Sequence, residues 1–259
     1  MTKKARTLLK KLIKLPFNAI GFDLVRKGSE TENRVNSMPS WEERIAHARG
    51  LGFSPKVIFD GGAFLGIWAK TAARIFPGAQ LVMVEPNPFV QVELANNVSQ
   101  IQPSPIILNV ALGELPGNAT LKFWRDTHSD TGASLLNHVS GPAPEVVPVA
   151  VDTLDNISQT LAVTPDLVKL DLQGGELAAL RGANRVLAQA ELMVIEFGCL
   201  DAYIGRTTPH DLLQIMYAND YCLYDIIDCH YRPYDGAMTG GDFIFVKNSS
   251  ILRRYKGWE

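Results

Sequence analysis

The chain has 259 residues, 46% of them hydrophobic, and a formal net charge of −2. Those figures suit one large globular domain with short appendages, and they exclude a general electrostatic footprint for nucleic acid. The three cysteines, Cys199, Cys222 and Cys229, form no C-x-x-C pair, and their odd count argues against a disulfide framework.

The first 15 residues carry Lys3, Lys4, Arg6, Lys10, Lys11 and Lys14 and no acid, with Leu8, Leu9, Leu12, Ile13 and Leu15 at roughly helical spacing. Such a basic amphipathic helix can lie on an anionic membrane surface, or cap the domain with a solvated lysine face. No apolar run reaches the ~18–20 residues of a bilayer span, and no secretory signal is visible. Reduced thiols in a cytoplasmic protein are therefore expected, with peripheral contact at the inner membrane face through residues 1–15 as the alternative. Residues 28–40 read as a polar loop, and Trp41 to Leu51 as a helix bounded by Pro39-Ser40 and by Gly50 and Gly52. Residues 1–52 are thus an N-terminal basic helix, loop and cap helix. Residues 53–250 form the main domain, and 251–259 a C-terminal tail.

The segment Val57-Ile58-Phe59-Asp60-Gly61-Gly62-Ala63-Phe64-Leu65-Gly66 reads as a strand, a glycine-rich turn and a helix start. Such a turn is expected to let a ligand approach bare backbone N–H groups. A second apolar run, Leu81-Val82-Met83-Val84, ends in Glu85, placed to accept hydrogen bonds from ribose hydroxyls. The glycines at 61, 62 and 66 do not fit the dinucleotide spacing G-x-G-x-x-G, and Asp60 would repel a pyrophosphate. An acid there suits a phosphate-free ligand carrying an ammonium, such as S-adenosylmethionine, over NAD. The bland alternative is a turn whose glycines serve only helix–sheet packing.

The alternation continues with helix 66–76, strand 81–85, helix 88–99 and strand 105–110. A stretch of different character, 113–151, holds β-like runs Ala119 to Trp124 and Val146 to Val151 around a polar segment. It reads as an antiparallel excursion carrying a mobile loop. Strand 167–171, helix 175–188, strand 191–197 and helix 209–219 follow, and strands 221–227 and 242–247 close the chain as an edge hairpin. This pattern predicts an α/β, Rossmann-like fold: a seven-stranded, mostly parallel sheet with a last antiparallel strand and a β excursion between strands 3 and 4. That is the class I methyltransferase architecture.

Six ordered blocks resemble the FkbM-family methyltransferases. They are Asp60 to Gly66, Val84-Glu85-Pro86-Asn87-Pro88, Asn109-Val110-Ala111-Leu112-Gly113, Val151-Asp152-Thr153-Leu154-Asp155, Lys169-Leu170-Asp171-Leu172-Gln173-Gly174-Gly175-Glu176 and Val194-Ile195-Glu196-Phe197. The family's glycine loop usually reads Asp-apolar-Gly-Ala-Asn-x-Gly. Here Gly61 stands at the apolar position and Phe64 at the asparagine.

The resemblance implies that Asp60, Gly61, Gly62, Ala63 and Gly66 hold the methionine end of S-adenosyl-L-methionine. It implies that Glu85 holds the ribose, that Pro86 beside it belongs to the cofactor-binding residues, and that Asn109 and Ala111 flank the adenine. Asp171, ending its strand, is the candidate beside the methyl-transfer locus; its alternative is a helix cap, which also holds for Glu176. Lys169 can pair with either acid. For a general base the residues offer His128 and His138, on either side of Gly132-Ala133-Ser134. No cluster spacing demands a metal. The expected reaction is O-methylation of a sugar or secondary-metabolite hydroxyl on a small-molecule or glycan acceptor. N-methylation of an amino sugar and a non-catalytic cofactor-binding module are the alternatives. Oligomeric state is not readable.

Overall fold

The computed structural model describes residues 39–124 and 132–258. The basic helix expected at 1–15 and His128 lie outside the described residues. The first described helix, α1 (Trp41–Gly50), opens with a capping box: Ser40 accepts from Glu43 N, and the Glu43 carboxylate accepts from Ser40 N. Ile45 and Ala48 on its inner face are buried with Phe53.

Strand β1 (Val57–Gly61) leads to α2 (Ile67–Ile75), then β2 (Gln80–Val84), α3 (Gln91–Val98) and β3 (Ile106–Leu108). The predicted strand 105–110 is split. Its last part turns away, and β4 (Ala111–Leu112) joins a second sheet with β5 (Gly117–Phe123) and β6 (Glu145–Asp152) in the order β4-β6-β5. Next comes α4 (Leu154–Thr160), which the sequence reading passed over although Thr153 caps it, its hydroxyl accepting from Asn156 N at 3.0 Å. Strand β7 (Leu167–Leu170) follows. The single helix expected at 175–188 is two, α5 (Glu176–Arg181) and α6 (Asn184–Gln189). They break at Gly182, where any Cβ would collide with the Gly113 carbonyl. Strand β8 (Leu192–Gly198), helix α7 (Pro209–Ala218) and the long hairpin β9 (Tyr221–Tyr231) and β10 (Met238–Lys247) complete the main elements.

Among the described residues the main sheet has seven strands in the order β3-β2-β1-β7-β8-β10-β9. The first five neighbours pair in parallel, and β10 is antiparallel to both β8 and β9. This is the predicted class I, Rossmann-like architecture. Side chains alternate across the sheet. Phe59, Val82, Val168, Met193 and Phe245 pack with Leu180, Leu187 and Leu212 of α5–α7. Ile58, Leu81, Leu167, Val194 and Ile244 pack with Ile45, Ala69 and Leu94 of α1–α3. Strands covered on both faces read as continuous apolar runs, which is why they were legible. Among the described residues no helix is long and apolar enough to cross a membrane.

Candidate functional site

The parallel strands all point their carboxyl ends at one edge of the sheet, and the glycine loop crosses that edge. Gly62 takes φ 74°, and a Cβ there would collide with the Asp171 carbonyl, so glycine alone lets the loop pass the end of β7. The expectation of bare N–H groups is overturned. Gly62 N and Ala63 N donate to Val84 O at 2.9 and 3.2 Å, and Gly66 N donates to Ala63 O at 2.7 Å. Phe64 N donates to Glu85 Oε2 at 2.7 Å. The loop folds back over the end of β2, which supplies its acceptors.

Glu85 is buried. Besides Phe64 N it accepts Asn87 N on Oε1 at 2.8 Å. Burial pushes its carboxyl above the ordinary range, against the pull of those two backbone donors. Each carboxylate oxygen retains a further lone pair, so bracing the loop leaves Glu85 able to accept from a ligand.

A row of charged side chains crosses the same edge. Asp60 and Lys169 are register partners in the β1–β7 pair, and Lys169 Nζ lies 3.4 Å from Asp60 Oδ1 and 3.4 Å from Asp171 Oδ2. It also donates to the Gly62 carbonyl at 2.9 Å. Asp60 is fully buried, and neither of its carboxylate oxygens has a hydrogen-bond partner. Burial raises its pKa while Lys169 pulls it down. For Lys169, burial works against the charge but the carboxylates of Asp171, Asp60 and Asp242 outweigh it and raise its pKa. The ammonium that the sequence reading assigned opposite Asp60 is thus met by the chain's own lysine.

Asp171 accepts from Gln173 Nε2 at 2.9 Å, and the same amide lies 3.3 Å from Glu196. Burial would raise the Asp171 pKa, but Lys169 and Gln173 hold it below the usual value. Burial and the charges of Asp171 and Glu176 push Glu196 well above its own. Glu176 is buried under the loop, where its carboxylate accepts from Leu172 N at 2.8 Å and Gly174 N at 3.2 Å. It braces the loop after β7 as Glu85 braces the loop after β1.

These groups frame a cleft. Of the expected cofactor residues, Gly62, Ala63, Glu85, Pro86, Ala111 and Asp171 line it. Asp60, Gly61 and Gly66 are not among its lining residues, and Gly66 instead starts α2 in the left-handed conformation. Asn109 is exposed beside the cleft, and its amide, with the NH2 group facing these carbonyls, donates to Pro86 O at 3.1 Å. Its neighbours Val110 and Leu112 take places in the wall. The β4–β6 insert roofs the cleft with Ala133 to Leu135, fixed by Ser134 Oγ donating to Gln173 O at 2.9 Å. His138 packs against Trp124 and Tyr203, with ring centroids 4.3 and 4.6 Å away. Sequence reasoning missed Gln173, Glu196 and Asp242 as site residues. An acid ending the apolar run Val194-Ile195 was the available signal for Glu196, by the logic applied to Asp171.

The donor set fits S-adenosylmethionine. Lys169 is the cleft's cation among the described lining residues, and carboxylates and carbonyls already engage it, so a pyrophosphate finds no partner. The walls are apolar at Ile67, Trp68, Val110, Leu112, Leu121 and Leu135, as an adenosyl group needs. Among the described residues no group of three His, Cys, Asp or Glu is arranged to hold a metal ion.

Residues 60–226 match the methyltransferase FkbM domain. No curated protein matches the chain. Among solved structures, a methyltransferase FkbM from Methylobacillus flagellatus KT is 20% identical with a TM-score of 0.47, covering 73% of this chain and 43% of its own. Thus the chain spans less than half the length of that relative. The magnesium protoporphyrin IX methyltransferase of Synechocystis PCC 6803, solved with bound SAM, is 13% identical with a TM-score of 0.47, covering 92% of this chain and 96% of its own. Aeropyrum pernix fibrillarin, solved with natively bound S-adenosyl-L-methionine, is 12% identical with a TM-score of 0.46, covering 78% and 73%.

Proposed function

The chain belongs to the FkbM methyltransferase family, and from that membership we propose that its cleft binds S-adenosylmethionine and that it methylates a hydroxyl of a sugar or secondary metabolite. The observation that carries the proposal is the cleft lining: apolar walls, an acid at the tip of β2, and a single lysine whose charge is already engaged. Glu85 is assigned to the ribose hydroxyls, because a carboxylate is an acceptor only. Pro86, Val110, Ala111 and Leu112 are assigned to the adenine, and the loop from Gly61 to Ala63 to the methionine end.

When bound, S-adenosylmethionine supplies a methyl group on a positively charged sulfur, an electrophile with a good leaving group. What remains for the protein is to hold a nucleophile in line and take its proton. Asp171 stands at the inner end of the cleft, and the carboxylates of Glu196 and Asp242 lie beyond it. Such acidic surroundings favour hydroxyl over amine acceptors: they hold an amine as ammonium, with no lone pair to attack.

Heat denaturation tests the ligand assignment. S-adenosylmethionine and S-adenosylhomocysteine are expected to raise the midpoint, and NAD to leave it unchanged. A rise with NAD alone would overturn the proposal.

A further inference from the structure

Beyond Asp171 and Gln173, which line both spaces, the cofactor cleft adjoins a second chamber of about 350 Å³. It is walled by the ends of β8 and β9, the start of β10 and the loop after β8. Resting on the methyltransferase reading of the cleft, we infer that this chamber is the acceptor site, that it takes an uncharged polyhydroxylated molecule, and that Glu196 and Asp242 receive the proton of the reacting hydroxyl.

The first argument is position on the sheet. Alternation puts Glu196 on the face that buries Leu192 and Val194, and Asp242 on the face that buries Ile244 and Val246. Core packing asks for apolar residues at those steps. Glu196 and Asp242 are also direct register partners in the antiparallel β8–β10 pair. Like charges directly opposite each other destabilise a sheet, so folding does not account for the pair. Placement in a chamber that adjoins the cofactor cleft does.

The second argument is the chamber's shape. Gly240 pairs with Gly198 across the same two strands, so neither puts a side chain of its own into the floor. A Cβ on Gly198 would collide with the Arg206 guanidinium, which lies flat against it with its Nε unpartnered. Tyr203 closes the rim, its hydroxyl donating to Gly132 O at 3.0 Å. The space is polar, and at the small end of the range for ligand pockets.

The third argument is charge. The groups facing the pair are Lys169 from β7, Asp171 just past its end, Glu176 from α5, Asp228 and His230 from β9, and Arg206 from the loop. Carboxyl groups predominate, and burial favours the neutral forms of Glu176, Glu196 and Asp242, so the chamber offers hydroxyl partners in place of a basic cradle for an anion. Carboxylates accept from hydroxyls and offer nothing to an anion. Burial and then Asp171 push the Asp242 pKa up to about 7, a value matched to taking a proton near neutral pH. In the step, the acceptor oxygen forms the new bond to the methyl carbon. The carbon–sulfur bond breaks with its electron pair left on sulfur, and the hydroxyl proton passes to the carboxylate pair.

The test uses the full chain, radiolabelled S-adenosylmethionine, a panel of methyl hexosides and the matching hexose 6-phosphates. Saturation-transfer NMR of the hexosides on the S-adenosylhomocysteine complex reads acceptor binding independently of turnover. The wild type is expected to bind and methylate at least one hexoside, and the phosphates about 100-fold more slowly. Glu196→Gln and Asp242→Asn are each expected to lower turnover by about 100-fold at neutral pH, within the range of lost general-base catalysis. Ala202→Trp, filling the chamber from an exposed loop position, is expected to abolish the NMR signal. In all three variants S-adenosylhomocysteine affinity by calorimetry stays within about two-fold, which also reports folding. Efficient methylation of the phosphates, failure of every hexoside, or variants with full turnover would overturn the inference. Parallel loss of S-adenosylhomocysteine affinity would assign the chamber to the cofactor instead. Failure of the wild type to bind S-adenosylhomocysteine at all would fault the cofactor assignment rather than the chamber.

Discussion

Lys169 stands beside Asp60 in the β1–β7 register, its ammonium 3.4 Å from a carboxylate that no hydrogen bond satisfies. Removing one partner of a buried pair leaves the other charge uncompensated, which costs about 3–5 kcal/mol. Lys169→Met is expected to lower unfolding stability in urea by that amount. Adding Asp60→Asn to it is expected to recover the part of the loss owed to Asp60, while Asp171 keeps its unpaired charge. A single variant within about 0.5 kcal/mol of wild type would show that the pair does not hold the two strand tips together.

Phe64 occupies the left-handed region at φ 45°, where a β-carbon costs on the order of 1 kcal/mol and asparagine is tolerated best. Its hydrogen bond to the loop's brace is through its backbone N–H, which any residue but proline supplies. Phe64→Asn is therefore expected to stabilise the protein by about 0.5–1 kcal/mol and to leave S-adenosylhomocysteine affinity equal or better. Destabilisation, or a tenfold loss of affinity, would mean that the ring's packing in the cleft outweighs its strained backbone.

Glu85 has two duties, so its loss is expected to show in two readouts. Glu85→Ala removes the acceptor of two backbone donors, Phe64 N and Asn87 N. About 1–3 kcal/mol of folding stability is expected to go with it, and a similar amount of S-adenosylhomocysteine affinity. Glu85→Gln, which keeps one oxygen, is expected to fall between. Stability lost with affinity intact would reduce Glu85 to a loop brace.

Stability is expected to fall as pH rises through the range set by Asp242. Its folded pKa is pushed up to about 7 from an ordinary 3.8. Between those values the folded state holds a proton that the unfolded state has released, so unfolding becomes easier as pH rises, and the penalty is complete above 7. Asp242→Asn removes the penalty. It is expected to raise the melting temperature at pH 8 and to change it little at pH 4. Allowing for partial exposure, the gain at pH 8 is about 1–3 kcal/mol. A variant equally shifted at both pH values would contradict the linkage.

The strand tips were readable because each is a purely local pattern: an apolar run, an acid, then glycine. Asp60 follows it in full, and Glu85 and Asp171 share its first two parts, an apolar run closed by an acid. What those acids face was not readable, because it depends on register between segments far apart in the chain. The partnership of Asp60 with Lys169, or of Glu196 with Asp242, exists only after β1, β7, β8 and β10 are laid side by side. The same holds for the N–H groups of Gly62, Ala63 and Phe64, which were expected to be free but find acceptors at Val84 and Glu85. The break at Gly182 follows from its close approach to Gly113, another long-range contact. The cap on α4 was local and overlooked: Thr153 three residues before Asn156 is an ordinary helix-start signal.

A crystal structure with S-adenosylhomocysteine tests the central claim most directly. Ribose hydroxyls are expected within hydrogen-bond distance of the Glu85 carboxylate, adenine against Val110 and Leu112, and the sulfur turned toward Asp171. Ligand bound elsewhere on the molecule, or seated in the cleft with Glu85 and Asp171 both out of reach, would contradict it.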